Sequence, residues 1–327
     1  MGVILCTINP FYQAVELDYA LRKGDIKALF MPGKNSPQQV VNRFEKILTE
    51  ALQVEDQSVT DPLILQHIIT IDGEPYSEGE FKAKNAGTAP FKMHSLEKLK
   101  EAKSTASLDS SLLNLVSPDD PSIIMFTSGT TGKPKGAYLS QFTLANNAYL
   151  AAKSYQNTDP AELSMCCPLP FFHSFAATHG AIAMTASPFQ LVIPYLKYDV
   201  KAIIDSINAN RCTHIVATPT LVIDLLNSVK KEGVTLNSLR SCLAGGASMP
   251  VETARQFCEA IPSLTDFRIG YGATELGPAS TGSRTSYSFE KRTETIGKHF
   301  FISKFLFFDF FYHYFQALQS TLWRSNW

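Results

Sequence analysis

Ser122-Ile123-Ile124-Met125-Phe126 runs straight into Thr127-Ser128-Gly129-Thr130-Thr131-Gly132-Lys133-Pro134-Lys135-Gly136. A short apolar run that ends in a glycine-rich turn is a buried strand delivering a loop to the edge of a sheet. Gly129, Gly132 and Gly136 free the backbone to turn its N–H groups inward. Thr127, Ser128, Thr130 and Thr131 add hydroxyl donors, and Lys133 and Lys135 add positive charge. The set suits a polyphosphate. A P-loop would need G-x-x-x-x-G-K-[ST], but Gly129 and Gly132 stand too close together, and Pro134 follows Lys133 where the metal-binding hydroxyl belongs. The kinase-like and GTPase-like readings fail on that spacing.

Outward from this stretch, short apolar runs alternate with helix-period segments. Downstream, strands are expected over 165–169, 189–193, 214–217, 241–243 and 267–269. Helices are expected over 141–156, 175–184, 200–208, 220–229 and 251–260. Upstream, strands over 2–6 and 27–31 flank a helix over 14–21. A second helix opens at Ser36-Pro37-Gln38-Gln39, read as a capping box with Ser36 as the N-cap. Residues 72–120 read as a long connection with one helix near 96–103. Alternation of this kind predicts an α/β fold with a sheet flanked by helices.

The chain has 29 Lys+Arg against 30 Asp+Glu, so no polyanion-binding surface is advertised and nucleic acid is not an expected partner. Cys6, Cys166, Cys167, Cys212, Cys242 and Cys258 form no C-x-x-C pair, and most lie in apolar runs. They read as buried free thiols in a reducing compartment, not as a zinc site. Residues 1–6 are too short and uncharged for a secretory signal and lack the character of a transit peptide. After Lys298 the composition turns abruptly aromatic. Lys304, Asp309 and His313 interrupt this run, which reads as a tail foreign to the domain more readily than as a membrane span.

Three further stretches follow in order: Pro170-Phe171-Phe172-His173, Ala244-Gly245-Gly246-Ala247-Ser248-Met249-Pro250 and Tyr271-Gly272-Ala273-Thr274-Glu275. Each falls at the end of an expected strand, where open α/β sheets bind ligands. With the glycine-rich loop they resemble the AMP-forming adenylating enzymes, the group that includes acyl-CoA synthetases, luciferases and peptide-synthetase adenylation domains. The stretch Asn9-Pro10-Phe11-Tyr12-Gln13-Ala14-Val15-Glu16-Leu17 is similar to that of medium-chain fatty acyl-CoA synthetases.

The resemblance implies a layered N-terminal adenylation domain with two sheet-based subdomains, present in part over residues 1–298, with 299–327 as a divergent tail. It implies ATP, Mg²⁺ and CoA, with a fatty acid as the small-molecule substrate. Thr274 would hydrogen-bond the α-phosphate and Glu275 would hold the metal, a pairing that hard-cation chemistry supports. His173 would line the junction of nucleotide and acyl group. Gly245, Gly246 and Ala247 would lie against adenine and the acyl tunnel, with Tyr271 and Gly272 beside them. Gln141 stands where relatives often carry a histidine. The resemblance stops near 295–298, ahead of the family's ribose-binding Asp, its hinge and its small C-terminal domain, so a piece lacking both ends of the family's domain is expected. It also admits a mitochondrial location. Three readings stay open: an acyl-CoA ligase, a catalytically silent nucleotide- or acyl-binding fragment, and a protein attached to a membrane by its aromatic tail.

Overall fold

A computed structural model of the chain describes residues 3–54, 61–77, 80–81, 91–102, 116–127, 133–155, 162–194 and 198–299. The first part runs β1 (Leu5–Thr7), α1 (Ala14–Lys23), β2 (Ala28–Met31), α2 (Gln38–Ala51), β3 (His67–Thr70), β4 (Lys92–Ser95) and α3 (Leu96–Glu101). The middle holds β5 (Pro121–Thr127), β6 (Lys135–Ser140), α4 (Gln141–Ser154), β7 (Ser164–Cys166), α5 (Ser174–Ala176) with a π-helical turn (Ala177–Ile182), and β8 (Gln190–Val192). The last part holds α6 (Val200–Ala209), β9 (His214–Ala217), α7 (Pro219–Glu232), β10 (Ser241–Ala244), α8 (Val251–Ala260), β11 (Asp266–Tyr271), β12 (Thr281–Gly282), α9 (Phe289–Thr293) and β13 (Lys298–His299).

Among the described residues the strands form three sheets, ordered β13-β12-β11-β10-β9-β7-β8, β1-β5-β6 and β2-β3-β4. In the large sheet β8, β7, β9, β10 and β11 are mutually parallel, so their carboxyl ends share one edge. Both of its faces are covered. Ile215 packs with Leu221, Leu225 and Phe257 from α7 and α8. Its neighbour Val216 points the other way, into the cluster of Tyr155, Met165, Ala176 and Phe189. That is why 214–217 is a continuous buried run with no polar alternation.

Local chemistry fixes the helix starts. Ser140, Asp199 and Thr218 accept hydrogen bonds from the backbone N–H groups of Thr143, Ala202 and Leu221. Pro219 opens α7 and Gly233, at φ +67°, closes it.

The structure corrects four expectations. Ser36 does not cap α2, whose N-cap is Pro37. Its hydroxyl donates instead to the Asp72 carboxylate at 2.6 and 2.8 Å, and a charge-assisted bond outcompetes a cap. The capping box belongs to α1, where Gln13 and Glu16 bond reciprocally. The first strand is shifted to Leu5–Thr7, because Thr7 is what pairs with Met125 of β5. Within 72–120, β4 is a fully paired strand on β3. The expected 175–184 helix breaks into α5 and the π-helical turn, where Gly180 lets the backbone close on Cys167 and Phe171. All six cysteines are free, and Cys166, Cys167, Cys212 and Cys242 are buried. No described helix is long and apolar enough to cross a membrane.

His214 and His179 are buried polar groups under this sheet. Desolvation, with the Arg268 guanidinium adding to it, pushes both imidazoles down to about 4, against the hydrogen bond His179 shares with the Phe175 carbonyl. The folded pKa values lie below the unfolded value near 6.5, so the unfolded chain binds more protons between those limits. Stability is therefore complete above pH 6.5 and is lost as pH falls towards 4. Each histidine is expected to remove about 2 kcal/mol by pH 5. Urea unfolding at pH 7 and pH 5 checks this. His214→Gln should flatten the pH dependence, and parallel loss in variant and parent would contradict it.

Candidate nucleotide site

The carboxyl edge of the parallel strands collects the motif residues. Beyond β7 the chain leads through Cys167, whose N–H donates to the Val192 carbonyl, to Phe171, Phe172 and His173. β9 leads into Thr218, β10 leads into Gly245 and Gly246, and β11 ends at Tyr271. Gly246, Ala247, Tyr271, Gly272, Glu275 and His173 are exposed there, which makes this edge an open lip.

Glycine contacts show how closely these segments meet. A Cβ on Gly245 would lie 3.1 Å from the Gly270 carbonyl oxygen and 3.4 Å from the Phe175 ring. Gly245 is therefore where the His173 segment, the double-glycine turn and β11 come together. Gly246 has φ +89°, a backbone that L side chains avoid, and a Cβ there would meet only the Thr218 methyl, at 3.9 Å. Gly272 is packed so hard on the chain returning at Pro278 that a Cβ would lie 1.6 Å from the Pro278 oxygen. Thr274 and Glu275 follow on a 3₁₀ turn, Thr274–Leu276.

That turn packs against β6, the strand that leaves the glycine-rich loop. Asn147 of α4 fastens it. The side chain donates to the Leu276 carbonyl at 3.3 Å and accepts from the Ala279 N–H at 3.2 Å. On the loop side, Thr127 and Lys135 are Cα partners across the antiparallel pair β5–β6, and Gly136 faces Phe126. A Cβ at Gly136 would press on Ile124 at 3.2 Å. The Tyr19 hydroxyl of α1 donates to the Pro134 carbonyl at 3.0 Å, and the Lys133 ammonium lies 5.2 Å from the Tyr19 ring centroid. Thr7 donates to the Phe172 carbonyl at 3.1 Å, which ties the carboxyl end of β1 to the His173 segment. The loop-exit strand and the Thr274–Glu275 turn are thus packed side by side. Ser128, Gly129, Thr130, Thr131 and Gly132 lie outside the described residues.

The His173 ring stacks at 4.3 Å on Phe172, and desolvation lowers its pKa from the usual histidine value. A neutral imidazole with an exposed edge suits positioning a ligand. Among the described residues no three His, Cys, Asp or Glu side chains form a metal cage. A single exposed carboxylate, Glu275, fits Mg²⁺ all the same, since that ion is bound by one or two carboxylates together with substrate phosphates and water.

Sequence reasoning missed Tyr19, Asn147 and Phe175. Their partners are remote in sequence, so no local pattern marks them.

The chain is 30% identical over 298 residues to the medium-chain acyl-CoA ligase ACSF2, mitochondrial, of Danio rerio, covering 90% of this chain and 47% of that protein. It is 30% identical over 301 residues to the putative acyl-CoA synthetase YngI of Bacillus subtilis, covering 91% of this chain and 52% of that one. The chain spans about half the length of the curated relatives it matches. Among solved structures, the anthranilate CoA ligase AuaEII superposes with a TM-score of 0.65 at 18% identity, over 90% of this chain and 50% of that chain. The long-chain-fatty-acid-CoA ligase FadD1 of Archaeoglobus fulgidus gives 0.61 at 18% identity, over 90% and 52%. These two likenesses speak to the fold alone, a mixed α/β architecture of several sheets. The model of one family, described as AMP-binding enzyme, matches residues 1–303, and with the motif ends gathered on one strand edge the chain belongs to that family.

Proposed function

We propose that this chain carries the nucleotide-handling part of an AMP-forming acyl-CoA ligase that acts on a fatty acid. In the proposed reaction a carboxylate oxygen of the fatty acid attacks the α-phosphorus of ATP, the bond to the β-phosphate oxygen breaks, and pyrophosphate leaves. The sulfur of CoA then attacks the acyl carbon, the carbon–oxygen bond breaks, and AMP leaves. Both steps need charge stabilised around phosphate and reactants held in line.

The observation that carries this reading is the packing of the Thr274–Leu276 turn on the loop-exit strand β6, which together would wall a phosphate cleft. In it Thr127, Lys133 and Lys135, with the backbone from Ser128 to Gly132 and Gly136, take the β- and γ-phosphates. Thr274 donates to the α-phosphate, and Glu275 would hold Mg²⁺, which when bound offsets charge on the phosphate oxygens. Gly245, Gly246, Ala247, Tyr271 and Gly272 supply a flat surface for adenine, and His173 positions the acyl carboxylate. Residues 1–298 form the part of the adenylation domain present here, and 299–327 lie outside it.

The test is pyrophosphate release by the full chain from ATP and Mg²⁺, with and without a medium-chain fatty acid. Release that depends on the acid supports a ligase half-reaction. ATP binding with no release and no acyl-AMP would instead make the chain a silent nucleotide-binding module.

A further inference from the structure

A second polar pocket lies at the opposite edge of the large sheet, at the amino ends of β9 and β10. It has a volume of about 410 Å³ and is lined by the end of α6, the residues entering β9 and the turn before β10. Two arginines frame it, Arg211 and Arg240. The remaining lining is amide and hydroxyl, from Asn208, Asn237, Thr213, Thr235 and Ser238. Among the described residues no carboxylate and no aliphatic side chain takes part.

Four observations point to an anion. Among the described residues neither Arg211 nor Arg240 has an ion-pair partner; the acid that opens β11, Asp266, is already held by Arg268 at 3.0 Å and Arg292 at 3.2 Å. This edge therefore carries guanidinium charge in excess. Ser238 lines the pocket, and its Oγ is buried with no hydrogen-bond partner among the described residues. The walls are braced against each other, with the Asn208 amide donating to the Thr235 carbonyl at 3.1 Å. Finally, Arg211 stands at φ +49°, in the left-handed position just past α6 that glycine normally fills.

An arginine there is a costly choice of residue. It would complement the carbonyl end of α6, but that accounts for only one of the two arginines, because Arg240 precedes a strand. Two planar guanidinium forks beside amide and hydroxyl donors match the oxygens of a phosphate group. The volume lies in the range of small-molecule sites.

We propose that this pocket binds the phosphate group of a small soluble molecule, at a site separate from the nucleotide edge. The lack of any aliphatic lining favours a diffusible phosphate over a lipid headgroup.

The test uses residue-resolved protection, which separates this pocket from the glycine-rich loop. The full chain is treated with phenylglyoxal with and without inorganic phosphate, and adducts at each arginine are read by peptide mass mapping. Modification of Arg211 and Arg240 is expected to slow about tenfold when phosphate is near ten times its dissociation constant, while half-buried Arg255 on α8, remote from the pocket lining, keeps its rate. Unchanged rates at Arg211 and Arg240, or slowing no greater than at Arg255, would overturn the proposal. A parallel arm replaces phosphate with vesicles containing phosphatidic acid. Protection by vesicles alone would overturn the assignment to a soluble ligand.

Discussion

Gly272→Ala is expected to destabilise the fold by about 3 kcal/mol and to abolish saturable ATP binding, the larger of the two effects forecast for this edge. The added methyl would lie 1.6 Å from the Pro278 oxygen and 2.6 Å from its carbonyl carbon. Neither atom belongs to a flexible side chain, so the backbone of the Tyr271–Ala279 excursion must move. Asn147 holds the far side of the same excursion through Leu276 and Ala279, and a Cβ added at Gly277 would likewise lie 2.3 Å from a Thr143 methyl. The displacement therefore falls on Thr274 and Glu275. Gly233→Ala is the internal control. It sits at φ +67° with nothing within 4 Å, so it should show only the backbone penalty of about 1 kcal/mol and leave ATP binding intact. Thermal unfolding and equilibrium titration of both variants check this. Equal losses in the two would show that the close approach to Pro278 is wrong.

Glu275→Gln is expected to remove the Mg²⁺ dependence of ATP binding. The amide keeps the shape and removes the charge, and an exposed side chain on a short turn leaves the fold unaffected. Affinity for ATP with Mg²⁺ should fall at least about tenfold to a hundredfold, the loss that follows when even an outer partner of a metal ligand is removed. In EDTA the variant and parent should bind alike. A variant that still gained affinity on adding Mg²⁺ as the parent does would exclude Glu275 as the metal's protein ligand.

The parts of this molecule that could be read from sequence are those where one residue type answers a local demand. The run 214–217 is buried throughout, apolar after His214, because the large sheet is covered on both faces, and β9 appears where it was expected. The helix at Val251–Ala260 likewise matches its hydrophobic period. Gly245 and Gly246 were legible as glycines at a strand end, but the contact of Gly272 with Pro278 was not, because no local pattern marks where the chain returns. β6 was not legible. Its start, Lys135-Gly136, reads as loop, and Tyr138 is exposed, so the strand is defined by pairing with β5 and not by its own pattern. β4 is similar, a polar Lys92–Ser95 segment made a strand by β3. Ser36 misled because its local capping option lost to Asp72, 36 residues away. The site followed the same division. The four motifs were visible, whereas Tyr19 and Asn147 act on partners 115 and 132 residues distant.

The account rests on one ligand touching two remote segments at once, and amide hydrogen exchange of the full chain with and without ATP and Mg²⁺ tests that most directly. Slowed exchange is predicted in peptides covering both 123–138 and 268–280, with little change in peptides from α2. Protection confined to one of the two segments, or absent from both while ATP is bound, would contradict it.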